Sequence, residues 1–340
     1  MEEGSLKEAM FYRRLKDEHV QCEMCPRRCV VPNGGRGSCR NKENRGGKFY
    51  TLVYGKPCTV NLTSPENAPL YHFVPSHERL ALATVGCNFR CKYCQNWQIS
   101  QARIEDRGYY ELSPEEAVEL ALREEAKSIS FTYTEPIAFY EYVYDISMLA
   151  KERGFMTSIV SNGFINPEPL RKLLKVMDAV KIDLKGFTDN FYHNVSSAKL
   201  EPVLTSLKIV REEGVYLEIV DLVVPTFNDD PWLIREMCEW INENLGDEVP
   251  LHFTRFFPNY KLTHLPPTPV RTLEMAREIA QDVGLKYVYI GNLPGHDANN
   301  TYCSKCGKLL VRRLHFAVLE NNVVNRSCKF CGERIPGVWE

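Results

Sequence analysis

Eleven of the thirteen cysteines in this chain fall into three clusters: Cys22, Cys25, Cys29 and Cys39; then Cys87, Cys91 and Cys94; then Cys303, Cys306, Cys328 and Cys331. Cys58 and Cys238 stand apart without ligand-like neighbours, and Cys238 reads as packing on an amphipathic helix. Gaps of two or three residues are what metal coordination demands, because a short loop must turn several thiolates toward one centre. Disulfides, the competing use of so many cysteines, need an oxidising compartment. The stretch Met1 to Asp17 carries Glu2, Glu3 and Glu8 and lacks an apolar run ending in a cleavage site, so it does not read as a signal peptide. The expectation is a cytoplasmic protein whose cysteines stay reduced and hold metal.

At 340 residues the chain can form one large domain with small appendages. Its 44% apolar and 25% charged residues fit a globular protein and exclude a disordered or fibrous one. A formal net charge of -2 supplies no overall attraction to nucleic acid. No run of apolar residues is long enough to span a membrane.

From about residue 78 to residue 292, short β-branched runs alternate with stretches of helical period, the pattern of βα units on a parallel sheet. Strands are expected at Leu80 to Val85, Ser128 to Tyr133, Thr157 to Val160, Ala179 to Leu184, Tyr216 to Val224, Leu251 to Phe256 and Tyr287 to Ile290. Ser113-Pro114-Glu115-Glu116 announces a helix with an N-cap serine, a first-turn proline and a glutamate three residues on. Further helices are expected near Ile137 to Lys151, Glu168 to Lys175, Leu200 to Glu212, Pro231 to Asn244 and Leu273 to Val283. The fold expected is therefore α/β, a partial or complete (β/α) barrel of six to seven units. Barrel enzymes place their chemistry on the loops after the strand C-termini. Cys87, Glu135, Ser161-Asn162-Gly163, Asp183 and Lys185 fall at four successive strand ends and point to one mouth. The flanks are Cys-rich and short of apolar side chains, so metal would supply their folding energy. Three domains follow: a Cys-rich metal-binding extension at 1–77, the barrel at 78–298 and a zinc-ribbon-like hairpin module at 299–340.

Gly86-Cys87-Asn88-Phe89-Arg90-Cys91-Lys92-Tyr93-Cys94 sets three cysteines in a loop after a strand. Three thiolates can ligate only three irons of a [4Fe-4S] cubane, which leaves the fourth iron open to a substrate or cofactor. A ferredoxin site or a zinc knuckle is the competing reading.

This spacing, with an aromatic before the third cysteine, resembles the radical S-adenosylmethionine (SAM) superfamily. Cys91-Lys92-Tyr93-Cys94-Gln95-Asn96-Trp97, with Pro69-Leu70-Tyr71-His72-Phe73 upstream, is similar to the AmmeMemoRadiSam-system radical SAM enzymes, relatives of the pyruvate formate-lyase activating enzyme. The likeness runs through Thr132-Tyr133-Thr134-Glu135-Pro136, Asp183-Leu184-Lys185, His252 to Pro258, Tyr289 to Asn292 and the C-terminal cysteine pairs. It implies reductive cleavage of SAM to a 5′-deoxyadenosyl radical that abstracts hydrogen from a substrate. By the same resemblance Tyr93 presents its backbone to adenine, and Asp183 and Lys185 reach the ribose and carboxylate of SAM. Thr134 and Glu135 occupy the place of a Gly-Gly-Glu-Pro run that receives the SAM ammonium, although Tyr133 and Thr134 replace both glycines. Asn162 is a further SAM candidate. Each has a structural alternative: Tyr93 a shield over the cluster, Glu135 a helix-starting acid, Asp183 and Lys185 a strand-end ion pair, Asn162 a turn residue. His252 and Arg255 could face substrate, with a satisfied core residue as the alternative for His252, and Glu218 points either into a polar barrel or out to solvent.

Cys303-x-x-Cys306-Gly307 and Cys328-x-x-Cys331-Gly332 read as twin knuckles of a structural zinc site, framing a hairpin of Leu309 to Leu314 and Ala317 to Val324. Cys22, Cys25, Cys29 and Cys39 suit zinc or a second iron–sulfur cluster, and their spacing does not separate the two. The substrate, whether protein, RNA or small molecule, stays open. A ferredoxin or flavodoxin is the electron donor the chemistry requires, and MEMO-like and AMMECR-like proteins are partners the family name implies. The alternative from another class is a non-catalytic iron or zinc protein that carries electrons or binds nucleic acid.

Overall fold

Residues 6–339 are described in the computed structural model of the protein, so the ends of the outer two expected domains lie outside it. Eight strands form the central sheet: β1 (Thr59–Thr63), β2 (Arg79–Ala83), β3 (Ser128–Phe131), β4 (Met156–Ser161), β5 (Ala179–Asp183), β6 (Tyr216–Val223), β7 (Leu251–Arg255) and β8 (Val288–Gly291). Their spatial order is their sequence order, each strand pairing with the next. β2 to β8 run parallel, as βα crossovers require. Every residue of β2, β3 and β8 is buried, as a parallel sheet covered on both faces requires, including Arg79 and the two serines of β3. Among the described residues β1 and β8 do not pair, so the sheet is open between them.

The helices α1 (Pro114–Arg123), α2 (Tyr140–Glu152), α3 (Pro167–Leu174), α4 (Glu201–Glu212), α5 (Pro231–Leu245) and α6 (Val270–Asp282) fill the crossovers where the periodicity places them. At the start of α1 the Ser113 hydroxyl accepts from the Glu116 amide at 3.2 Å, and the Glu116 carboxylate accepts from the Ser113 amide at 2.7 Å. This reciprocal cap satisfies two amides that the first turn would otherwise leave unpaired.

Two expectations need correction. The segment 59–63, assigned from the sequence to the N-terminal extension, is a strand of the main sheet. Thr59 opposes Ala83 and Thr63 opposes Arg79, antiparallel to β2. Its outer side is partly exposed, so it carries little of the apolar signal that marks the inner strands. In the terminal hairpin Leu309–Leu314 pairs with Ala317–Asn321, and the second arm stops at Asn321 instead of running to Val324. The Asn322 amide turns back to the Leu310 carbonyl at 2.6 Å, and Val323–Val324 then pairs with Ser327–Cys328.

The terminal module has a small core of Leu310, Val311, Ile335 and Trp339 with two cysteines, too little to stand alone. It is seated on the segment before β2. The Arg313 side chain, fully buried, donates to the Tyr71 carbonyl at 2.7 Å and to Thr301 Oγ1 at 2.8 Å, with its guanidinium 4.1 Å from the Tyr71 ring centre. Val74 donates to the Val338 carbonyl at 2.7 Å, and Val338 donates to that of His72 at 2.8 Å. At the opposite end of the chain, Lys42 is buried in an ion pair with Glu141 of α2, which fixes the Cys-rich segment to the helices of the main sheet.

Candidate active site

A cavity of about 350 Å³ opens at the C-terminal ends of the parallel strands. Cys87, Cys91 and Cys94 line it on the loop after β2, and Tyr93, Thr134, Glu135, Asn162, Asp183 and Lys185 line it from the loops after β2, β3, β4 and β5. All nine residues singled out for this site are thus brought to one mouth. The cysteine loop is held by its own polar groups: Arg90 donates to the Cys87 carbonyl at 2.7 Å, and the Arg90 and Lys92 amides donate to Ser196 and Val195 at 3.0 and 2.9 Å. Gly86, at φ +91°, starts this loop pressed against the N-terminal segment; a Cβ there would lie 2.5 Å from Asn41 Oδ1 and 2.6 Å from the Cys39 carbonyl oxygen.

Glu135 is buried and organises the β4 loop. Its carboxylate accepts from Ser161 Oγ at 2.7 Å, from the Asn162 amide at 2.9 Å and from the Ile137 amide at 3.2 Å. Burial pushes its carboxyl up to about 7, with those three donors opposing the rise. Asn162, so placed, directs its side-chain amide to Asn88 Oδ1 at 2.8 Å, with Cys87 Sγ 3.9 Å away. Thr134 donates its hydroxyl to the Thr84 carbonyl at 2.8 Å, and its amide bonds back to Thr132 at 2.7 Å around Tyr133, whose φ is +63°. A tyrosine in this tight left-handed turn is strained, a conformation that clusters at functional sites.

Asp183 lies between two cations. Lys181 Nζ is 2.7 Å from its Oδ1 and Lys185 Nζ is 3.0 Å from its Oδ2. Burial would raise the Asp183 carboxyl, but the two ammonium groups outweigh it and hold the group down to about 2. Lys181 was missed from the sequence although it is two residues before Asp183, and period-2 geometry puts 181, 183 and 185 on one side. Arg79 was missed as well: its buried guanidinium lines the cavity and donates to Ser130 Oγ at 2.9 Å. It lies on β2 in alternation with Ala81 and Ala83, and their small side chains were the available signal that something larger occupies this space.

His252 and Glu218 are among the residues that belong to the core. They pair at 2.6 Å near the starts of β7 and β6, away from the cavity, and Glu218 also accepts from the Tyr71 and His72 amides at 3.0 and 2.8 Å. Arg255 donates to the Thr268 carbonyl at 2.8 Å and does not line the cavity. Cys238 is buried on α5 as packing.

The donor set suits an iron–sulfur cluster. The cavity offers three soft thiolates, with Cys87 Sγ accepting from the Phe89 amide at 3.3 Å, and the buried Tyr93 hydroxyl beside them has no protein partner. Their sulfurs do not all fall within 4.8 Å of one another, so they do not close on a single ion. Among the described residues one set does: Cys303, Cys306, Cys328 and Cys331, with Cys303 to Cys331 at 3.6 Å and Cys306 to Cys328 at 3.8 Å.

Residues 82–238 match the family model described as the Radical SAM superfamily. A Methanocaldococcus jannaschii protein carried as uncharacterised is 47% identical over 332 residues, covering 97% of this chain and 99% of that protein. The pyruvate formate-lyase-activating enzyme of Clostridium pasteurianum is 29% identical over 165 residues, 46% of this chain and 66% of that enzyme. The pyruvate formate-lyase 1-activating enzyme of Escherichia coli K12 is 24% identical over 222 residues, 60% of this chain and 89% of that enzyme. A radical SAM methyltransferase from Sphaerobacter thermophilus shares the fold with a TM-score of 0.50 and 13% identity, over 70% of this chain and 71% of that one. A parallel sheet with three cysteines on its first strand-end loop and polar or ionisable groups on the next three has the donor set of an iron–sulfur enzyme. Residues 82–238 thus carry a radical SAM domain, which together with the activating-enzyme relatives supports cleavage of SAM at an iron–sulfur cluster to generate a radical.

Proposed function

We propose that Cys87, Cys91 and Cys94 hold the [4Fe-4S] cluster and that SAM occupies the cavity beside it. The observation that carries this reading is the convergence of three thiolates, Glu135, Asn162 and the Lys181–Asp183–Lys185 array on one mouth. When bound, the cluster would supply one electron to SAM, whose carbon–sulfur bond would break to give methionine and a 5′-deoxyadenosyl radical for hydrogen abstraction. The chain's own residues do the positioning. Lys185 and Lys181 offer cations to the SAM carboxylate, and ionised Asp183 offers an acceptor to the ribose hydroxyls. Glu135 and Thr134 lock the strained turn at Tyr133, which brings backbone close to the SAM ammonium. Tyr93 has a free hydroxyl inside the cavity and covers the cluster loop, excluding water from a reactive intermediate.

The substrate reading is activating-enzyme-like: hydrogen abstraction from another macromolecule, as the names of the Clostridium and Escherichia relatives suggest. Exposed aromatics near the cysteine loop would suit a large substrate, the Lys261 amide bonding the Lys92 carbonyl at 2.9 Å. Trp97, partly exposed, stacks on Tyr260 with ring centres 5.2 Å apart, and Phe257 is exposed nearby in sequence. We read the sheet as a partial barrel of seven parallel strands edged by β1, and the chain as the three domains expected near 1–77, 78–298 and 299–340, with the first boundary moved ahead of Thr59 because 59–63 belongs to the main sheet. The terminal tetrad is read as a structural zinc ribbon, supported by sulfurs at tetrahedral spacing. A ferredoxin- or flavodoxin-type donor, MEMO-like and AMMECR-like partners and a cytoplasmic site of action complete the reading.

The test is direct. Anaerobically reconstituted protein given dithionite and SAM releases 5′-deoxyadenosine, and Cys91→Ala loses both that product and the cluster's absorbance. Wild-type protein that carries the cluster yet leaves SAM intact overturns the reading.

A further inference from the structure

The N-terminal cysteines form a site of their own. Cys22, Cys25, Cys29 and Cys39 line one buried cavity whose walls include Met24, Phe49, Ile137 and Ala138. Amides face each sulfur: Ser38 donates to Cys29 Sγ at 3.4 Å, and the Met24, Arg27 and Asn41 amides serve Cys22, Cys25 and Cys39. Such donors stabilise thiolates and tune an iron–sulfur centre.

We propose that these four cysteines hold a second [4Fe-4S] cluster and not a zinc ion. The argument is one of size. Zinc–sulfur bonds of about 2.3 Å place the sulfurs of a tetrahedral site about 3.8 Å apart. The terminal tetrad, at 3.6 and 3.8 Å, has that spacing. Among the described residues, by contrast, no three of the N-terminal sulfurs lie within 4.8 Å of one another, although all four line the same cavity. A cubane holds its ligating sulfurs farther apart because each binds a different iron corner. In this respect the N-terminal set matches Cys87, Cys91 and Cys94, a comparison that rests on the reading of that site given above. Four ligands leave no open iron, so SAM has no place there.

The two sites adjoin. Gly86 lies against the Cys39 carbonyl, and Arg27 Nε donates to the Asn88 carbonyl at 2.6 Å. Asn88 thus follows Cys87 in the chain and also lines the N-terminal cavity.

The experiment is metal and sulfide analysis with Mössbauer spectroscopy on the anaerobically reconstituted full chain. The expected result is about eight irons and eight sulfides per chain, all in [4Fe-4S] form. In the Cys87→Ala/Cys91→Ala/Cys94→Ala variant about four irons remain, and Cys25→Ser/Cys29→Ser in the wild-type background removes the other four. Two zinc ions per chain with about four irons, all lost in the triple variant, overturns the proposal. So does a wild-type count of about four irons with nothing bound at the N-terminal set. Iron that is undiminished in the triple variant instead counts against the first site. The wild-type count decides the question even where a variant fails to fold.

Discussion

Lys181 and Asp183, two residues apart on β5, form a 2.7 Å ion pair inside the cavity, and Lys185 joins the same carboxylate from the loop beyond. Removing the shared anion is therefore worse than removing either cation. Asp183→Asn leaves two lysines facing each other without a counter-charge and is expected to cost about 3 kcal/mol, in the range for a severed buried pair. Lys181→Met leaves Asp183 paired with Lys185 and costs less. Urea denaturation of both variants checks the order.

Glu135 sets a pH dependence. Its folded-state value of about 7 lies above its ordinary 4.5, so the folded state binds the proton more tightly. Its contribution to stability is full below about 4.5 and is lost as pH rises through 7, a change of about 3 kcal/mol. Denaturation midpoints of the wild type should fall over that window, and Glu135→Gln should flatten that part of the profile.

Gly86→Ala tests the contact between the two cysteine loops. The added methyl meets Asn41 Oδ1 and the Cys39 carbonyl at closer than contact distance, on a residue whose φ of +91° already disfavours a side chain. A loss of about 2–4 kcal/mol is expected from overpacking and backbone strain together. Because both loops must shift, iron content at both cysteine sites should fall; a variant with full iron and unchanged stability contradicts the packing.

Cys306→Ser or Cys331→Ser should release about one zinc ion per chain while the iron content holds. Metal analysis before and after checks both halves of the statement. Proteolysis within 301–335 should accelerate, since the module's apolar core is too small to persist without the metal.

Much of this arrangement was legible in the sequence. The seven parallel strands announced themselves as short β-branched runs alternating with stretches of helical period, and the three-cysteine loop because cysteines at such spacing have few other uses. Residues hidden from that reading share a cause. Arg79 opens β2 and Lys181 sits in the middle of β5, where a charge reads as an outward-facing residue unless the sheet is known to curve around a polar cavity. β1 lacks an apolar run because it is an edge. His252 and Glu218 needed each other: either residue alone suggests a site, and only their 2.6 Å pairing shows a buried couple. The metal preference of the N-terminal tetrad depends on distances between sulfurs, which residue spacing does not encode.

Arg313 carries a consequence for how the molecule comes apart. Its guanidinium is shared between the terminal module and Tyr71, so detaching one unit from the other severs the bond to the Tyr71 carbonyl and takes the cation away from buried Glu66, 3.8 Å distant. Separate melting is penalised on both sides of that contact. Heating should accordingly produce one calorimetric endotherm for barrel and terminal module together, with loss of the terminal metal lowering its midpoint instead of splitting it.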